Sequence, residues 1–117
     1  ELIESHHEKK LDAPSGTAIS IANTVSQENK VFQKVHSEVN KIKNTRGGDE
    51  AGIGIHSLRL PGVIAKHELI FGAPGENLSI THNSSDRKSF MPGVLIAVDY
   101  VIKNNDFVEG LEKILGL

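Results

Sequence analysis

Residues 53–83 read IGIHSLRLPGVIAKHELIFGAPGENLSITHN. Three runs of strand-forming residues, 53–60, 63–71 and 77–83, are separated by the turn signals Pro61-Gly62 and Gly72-Ala73-Pro74-Gly75. Links so short join antiparallel neighbours, so the stretch predicts a meander. On its C-terminal side, residues 90–103 carry Val94, Leu95, Ile96, Ala97, Val98, Val101 and Ile102. That run is too long for an ordinary strand and reads as a buried helix lying on the sheet, with Pro92 tolerated in its first turn, where a missing N–H costs nothing.

On the N-terminal side, the chain opens on Leu2-Ile3 without a start methionine, which reads as a strand entered in mid-protein. Ala18, Ile21, Ala22 and Val25 then recur at i, i+3, i+4, i+7, one face of a helix, with Ser15 as its N-cap. Residues 30–50 are polar and lack a period, so they read as a long loop with some extended structure. The expected class is α+β: a mixed, largely antiparallel four-stranded sheet with helices packed on one face. Residues 1–105 form the body of this domain. In the tail, residues 106–117, Phe107, Leu111, Ile114 and Leu115 form an apolar stripe expected to dock on a part of the protein outside this chain.

At 117 residues the chain is one domain's worth. Thirteen Lys and Arg against fifteen Asp and Glu leave a net charge of −2, so no basic field draws nucleic acid or anionic lipid. With no cysteine, disulfide scaffolds and thiolate metal sites are excluded, and a reducing, cytoplasmic setting is expected. No apolar stretch reaches the roughly 18 residues of a membrane span, and the start lacks the pattern of a signal peptide.

The chemistry concentrates in His6-His7-Glu8-Lys9-Lys10-Leu11-Asp12-Ala13-Pro14-Ser15-Gly16-Thr17-Ala18, which sets proton donors directly before a helix start. A helix N-terminus presents unpaired N–H groups and the positive end of the helix dipole, and so favours an anion. Gly16 permits close backbone approach and Thr17 adds a hydroxyl. Lys10 supplies a full positive charge, while His6 or His7 can exchange a proton near neutral pH. These parts describe a pocket for a carboxylate substrate that needs protonation. Each has an ordinary alternative: Ser15 as a simple cap, the two histidines as strand-end surface, Lys9-Lys10 as solvated charge. Strand alternation also sends His6 and His7 to opposite faces unless the strand has already ended.

The pattern His-His-x-x-Lys-x-Asp-Ala-Pro-Ser-Gly-Thr-Ala resembles the signature of the dihydrodipicolinate reductases. The resemblance continues through residues 53–59, Gly62, residues 67–71, Glu76, residues 80–82 and residues 87–90. It implies an enzyme of lysine and diaminopimelate biosynthesis that reduces a cyclic, unsaturated dicarboxylate with NADH or NADPH. His6 matches the family's proton donor and Lys10 its catalytic lysine. His7, Ser15, Gly16, Thr17 and Arg87 match substrate-binding positions. It also implies a homotetramer built through the sheet, with the sets Ile53, Ile55 and Ile64, Ile70 able to supply the contact, and a nucleotide-binding Rossmann domain absent from this chain. The chain lacks the Gly-x-Gly-x-x-Gly dinucleotide loop and is therefore expected to be inactive alone. Leu60-Pro61-Gly62 departs from the Gly-Gly pair that family members often have there, and residues 27–44 match nothing.

Two other readings remain. The chain could serve only as an assembly module. His56, His67 and His82, on separate strands, could instead bind zinc if they shared a face, although no carboxylate spacing supports it and the family resemblance implies no metal.

Overall fold

In the computed structural model, which describes residues 1–28 and 31–117, the first strand of the sequence lies at the centre of the sheet. Strand β1 (Leu2–His6) is followed by helix α1 (Gly16–Glu28) and strands β2 (Gly48–Glu50), β3 (Ile53–Arg59), β4 (Ala65–Ala73) and β5 (Glu76–Ser84). Their order in the sheet is β2-β3-β1-β4-β5. β1 runs parallel to β3, and every other pairing is antiparallel. The α+β class and the mixed, largely antiparallel sheet agree with expectation, but the sheet has five strands rather than four.

The meander is only half present. β4 and β5 form a hairpin across Pro74-Gly75, whereas β3 and β4 do not pair because β1 lies between them. Residues 60–64 suffice for that crossing: at roughly 3.3 Å per residue they span the ~10 Å between strands two places apart. Burial favours the insertion. Leu2 and Glu4 are both fully buried, and a central strand also pairs its backbone along both edges.

The additional strand, β2, comes from the end of the long loop, whose first residue, Lys30, lies outside the described residues. It forms a hairpin with β3 through Ala51 and Gly52, both at positive φ, as a two-residue hairpin turn of this hand requires. A Cβ on Gly52 would also stand 2.5 Å from the Phe32 carbonyl oxygen.

Helix α1 packs by the face its periodicity indicated. Ala18 and Ala22 are fully buried against Leu2, Ile53 and Ile55, with Ile21, Val25, Phe32 and Leu69 around them. Two alanines on the contact face let the helix axis approach the sheet closely. Ile53 and Ile55 are thus core residues, 5% and 4% exposed, and cannot supply an assembly interface.

The chain divides into two compact units, residues Glu1–Ser84 just described and Ser85–Leu117. The second holds a 3-10 turn (Arg87–Phe90), helix α2 (Met91–Lys103) and helix α3 (Leu111–Leu115). Asp86 caps the turn by accepting from the Lys88 N–H at 2.8 Å, and Pro92 sits in the first turn of α2, where it was expected. The expected buried helix is formed, but none of its residues is buried. Its apolar run has too little covering it: Leu95, Val101 and Ile102 are 67%, 64% and 76% exposed. Leu111 of α3 has a partner within this unit, its Cδ2 lying 3.1 Å from where a Cβ on Gly93 would stand. Among the described residues no helix is long and apolar enough to cross a membrane.

Candidate active site

The polar signature folds as a strand end, a turn and a capped helix start. β1 stops at His6, whose carbonyl accepts from the Leu60 N–H at 2.9 Å. The chain then turns, with the Lys10 N–H donating to the His7 carbonyl at 3.1 Å. It passes the cis Ala13–Pro14 peptide and reaches Ser15. Ser15 Oγ accepts from the Ala18 N–H at 3.2 Å and its carbonyl accepts from the Ile19 N–H at 3.1 Å, so Ser15 is the N-cap of α1. Gly16 and Thr17 are therefore the first helical residues, whose N–H groups have no partner within the helix. Both are exposed, and a Cβ on Gly16 would meet nothing within 4 Å, which leaves room there for a ligand.

The register divides one sheet face into an apolar and a polar half. Leu2, Ile55 and Leu69 lie under the body of α1, while Glu4, Ser57, Arg59, His6 and His67 lie toward its N-terminal end. Glu4 is the anchor of the polar half. Arg59 grips its carboxylate with two donors at 3.0 and 2.8 Å, and His6 Nδ1 bonds the same group. Burial alone would raise the Glu4 carboxyl, but hydrogen bonds from Arg59, Ser57 and His6, with the Arg59 charge, outweigh it and hold the group below its ordinary range. Arg59 also donates to the Asp12 carbonyl at 2.6 Å, which ties the signature turn to β3.

His6 is linked to the helix start through His67. The two rings meet edge to face with centroids 5.4 Å apart, and His67 Nε2 lies 3.2 Å from Ser15 Oγ. Burial, then the charge of His6, pushes His67 down, so its neutral form is favoured.

The remaining candidates are placed as follows. Lys10 Nζ reaches both oxygens of Asp12, at 2.8 and 2.9 Å, so an incoming carboxylate must share or displace that partner. The pairing draws the Asp12 carboxyl below its ordinary value. His7 is half-buried and lies just past the strand, so the alternation that would separate it from His6 ends there. Arg87 is exposed and belongs to the second unit. A cleft of about 530 Å³ is lined by Ala13 and Pro14 of the turn, Ile19 of α1, and Ser57, but not by His6, Lys10, Gly16 or Thr17. Of these four, Gly16 and Thr17 are exposed, while the His6 and Lys10 side chains are 12% and 22% accessible.

The zinc arrangement fails on geometry. His67 and His82 are direct partners on one face, but His56 pairs with Ile3 and so points to the opposite face. Its Nε2 instead bonds the Glu1 carboxylate, which Arg46 also pairs. The connection between β1 and α1, residues 7–15, contains no glycine and so is not the Gly-x-Gly-x-x-Gly loop of a dinucleotide-binding fold.

The sequence reading missed Glu4 and Arg59, and it considered His67 only for metal. For Glu4 a signal existed: it stands two residues before His6 in a strand, hence on the same face.

A family profile described as "Dihydrodipicolinate reductase, C-terminus" matches residues 1–115. Among curated proteins, the 4-hydroxy-tetrahydrodipicolinate reductase of Streptococcus uberis is 48% identical over 116 residues, 98% of this chain and 46% of the relative. The corresponding protein of a Nostoc species is 50% identical over 117 residues, 98% of this chain and 42% of the relative. Among solved structures, a dipicolinate-bound dihydrodipicolinate reductase from a Paenisporosarcina species superposes with a TM-score of 0.81 at 40% identity, over 97% of this chain and 43% of its own. The chain thus spans less than half the length of the proteins it resembles.

Proposed function

This chain belongs to the dihydrodipicolinate reductase C-terminal family, and from that premise we propose that it binds the substrate and supplies the proton in the reduction of 4-hydroxy-tetrahydrodipicolinate to tetrahydrodipicolinate, a step of diaminopimelate and lysine biosynthesis. The observation that carries this reading is the unbroken signature from His6 to Ala18, folded as a strand end, a turn and a helix start with two unpaired, exposed N–H groups. The Gly16 and Thr17 amides and the Thr17 hydroxyl hold one carboxylate of a ring dicarboxylate. Lys10 opposes its charge, exchanging Asp12 for the substrate. His6 is the proton donor; His7 and Ser15 border the ring. Arg87 is carried over as a substrate contact on the resemblance alone. The hydride of NADH or NADPH comes from a nucleotide-binding domain outside these residues, on which the tail, residues 106–117, docks. Phe107 and Leu117, 91% and 89% exposed, suit that contact. The chain alone has no reductase activity, and the enzyme works in the cytoplasm.

Calorimetric titration of dipicolinate into the protein tests the binding role. Saturable binding is expected, and Lys10→Ala is expected to weaken it roughly 10–100-fold, the equivalent of a hydrogen bond to a charged group at about 1.5–3 kcal/mol. Binding indifferent to Lys10 would remove the proposed cradle.

The protein assembles as a homotetramer through the sheet face opposite α1, which Ile3, Leu58 and Ile70 share by register, Leu58 being 38% exposed. Sedimentation velocity of the full-length protein is expected to give four chains. A monomer at micromolar concentration would rule this out.

A further inference from the structure

We infer that Glu4 is the positioning residue of His6, fixing its imidazole in the Nδ1–H form so that Nε2 is the nitrogen that exchanges a proton with substrate. The inference rests on the proposed role of His6 as proton donor, and it names the atom and the partner that role requires.

The hydrogen-bond inventory of the buried cluster decides the tautomer. The Glu4 side chain is fully buried and faces two N–H donors of Arg59, a guanidinium that stays charged at any physiological pH. An ionised carboxylate can only accept, so in its contact with His6 the proton must reside on Nδ1. A neutral imidazole carries one N–H, which leaves Nε2 as the lone pair. When the ring gains a second proton, that proton sits on Nε2. On donation the Nε2–H bond breaks, its electron pair stays on the nitrogen and the proton passes to the substrate. Nδ1–H remains on Glu4 throughout, and solvent restores the Nε2 proton.

The neighbours reinforce this assignment. Ser15 Oγ already accepts from the Ala18 N–H, so its own hydroxyl hydrogen is free to be donated to His67 Nε2, the arrangement of a neutral His67. A neutral ring edge-on to His6 packs it without competing as a second cation. Arg59 stabilises the Glu4 charge and, through the Asp12 carbonyl, holds the turn that carries Lys10. One buried carboxylate therefore orients the proton donor and is tied to the segment that binds the anion.

Long-range ¹⁵N–¹H spectra of the labelled chain, taken where His6 is neutral, read the tautomer directly. Nδ1–H is expected; Nε2–H overturns the inference. In the full-length protein, Glu4→Gln is expected to lower kcat by at least about tenfold, the lower end of what losing a histidine's orienting partner costs, with KM held and the His6 tautomer preference lost. A folded Glu4→Gln protein with unchanged kcat overturns the inference, and if the variant fails to fold, the wild-type spectrum decides alone. The reading on which it rests fails separately: His6→Asn would then leave turnover intact, whatever the tautomer in the wild type.

Discussion

Arg59→Leu destabilises the first unit by about 3–5 kcal/mol at neutral pH, the range measured when one partner is removed from a buried ion pair, read as a shift of the urea midpoint. The substitution leaves the fully buried Glu4 carboxylate with only Ser57 and His6 as donors and strips the Asp12 carbonyl of its partner. Since domains of this size are stable by only about 5–15 kcal/mol, a large share of the margin is at stake. The deficit depends on pH in a fixed direction. In the wild type the Glu4 carboxyl lies below its ordinary value of 4.5, so its contribution is complete above that value and is lost as pH falls through the folded-state value. His67 adds to the loss in the same sense: its folded-state value is pushed below 6.5, so the unfolded chain takes up protons first as pH falls. In Arg59→Leu the buried Glu4 carboxyl takes up its proton more readily, and a neutral Glu4 no longer needs a cation. The gap between the two proteins therefore narrows in acid. The double substitution Glu4→Gln with Arg59→Leu should recover much of the loss, because what is costly is the stranded charge rather than the missing bond. A single variant within about 0.5 kcal/mol of wild type, as for an ordinary surface change, would show that Glu4 reaches water and is no anchor.

Periodicity carried the local elements and failed on their neighbours. The Ala18, Ile21, Ala22, Val25 spacing located the buried face of α1, and the turn signals located three strands, because these depend on residues adjacent in the chain. Which strand lies beside which does not. β1 separates β3 from β4 because Leu2 and Glu4 gain full burial there, a tertiary preference that alternation in residues 53–71 cannot express. β2 was hidden for a different reason. Gly48-Asp49-Glu50 has no apolar pattern, and the hairpin is imposed by Ala51-Gly52 and the Phe32 carbonyl packed beside them. Helix α2 shows the reverse error: composition marked the helix, but the burial expected of its apolar run is not met, since none of its residues is buried.

The candidate site divides along the same line. Its contiguous part, from His6 to Thr17, was legible because a strand end and a helix cap lie within one short segment, and Ser15 caps α1 as its position implied. Its supporting part was assembled from other strands. Arg59 and His67 reach Glu4 and Ser15 across the sheet, contacts 55 and 52 residues apart in sequence. On the proposed reading, the exposed helix start at Gly16 and Thr17 must be open to a ligand, while the Glu4–Arg59 pair must be closed to water for Glu4 to hold an imidazole in one orientation.

His6→Asn in the full-length protein lowers kcat by about 10²–10⁴-fold, the usual contribution of a positioned general acid, with dipicolinate binding preserved. Asparagine is close in size to half an imidazole and its amide can still donate to Glu4, so the buried cluster with Arg59 keeps its partners. What it lacks is a proton it can release near neutral pH. On the proposed reading, anion binding depends instead on the Gly16 and Thr17 amides and on Lys10, which the substitution does not touch. The two variants should therefore separate the steady-state constants: His6→Asn acts on turnover, and Lys10→Ala acts mainly on dipicolinate affinity. Calorimetry and initial rates on the same preparations make the comparison. Equal losses of affinity and turnover in His6→Asn would mean that the ring helps hold the substrate rather than protonate it. An unchanged kcat would move the proton donor to another group, with His7, half-buried at the next position, the first to examine.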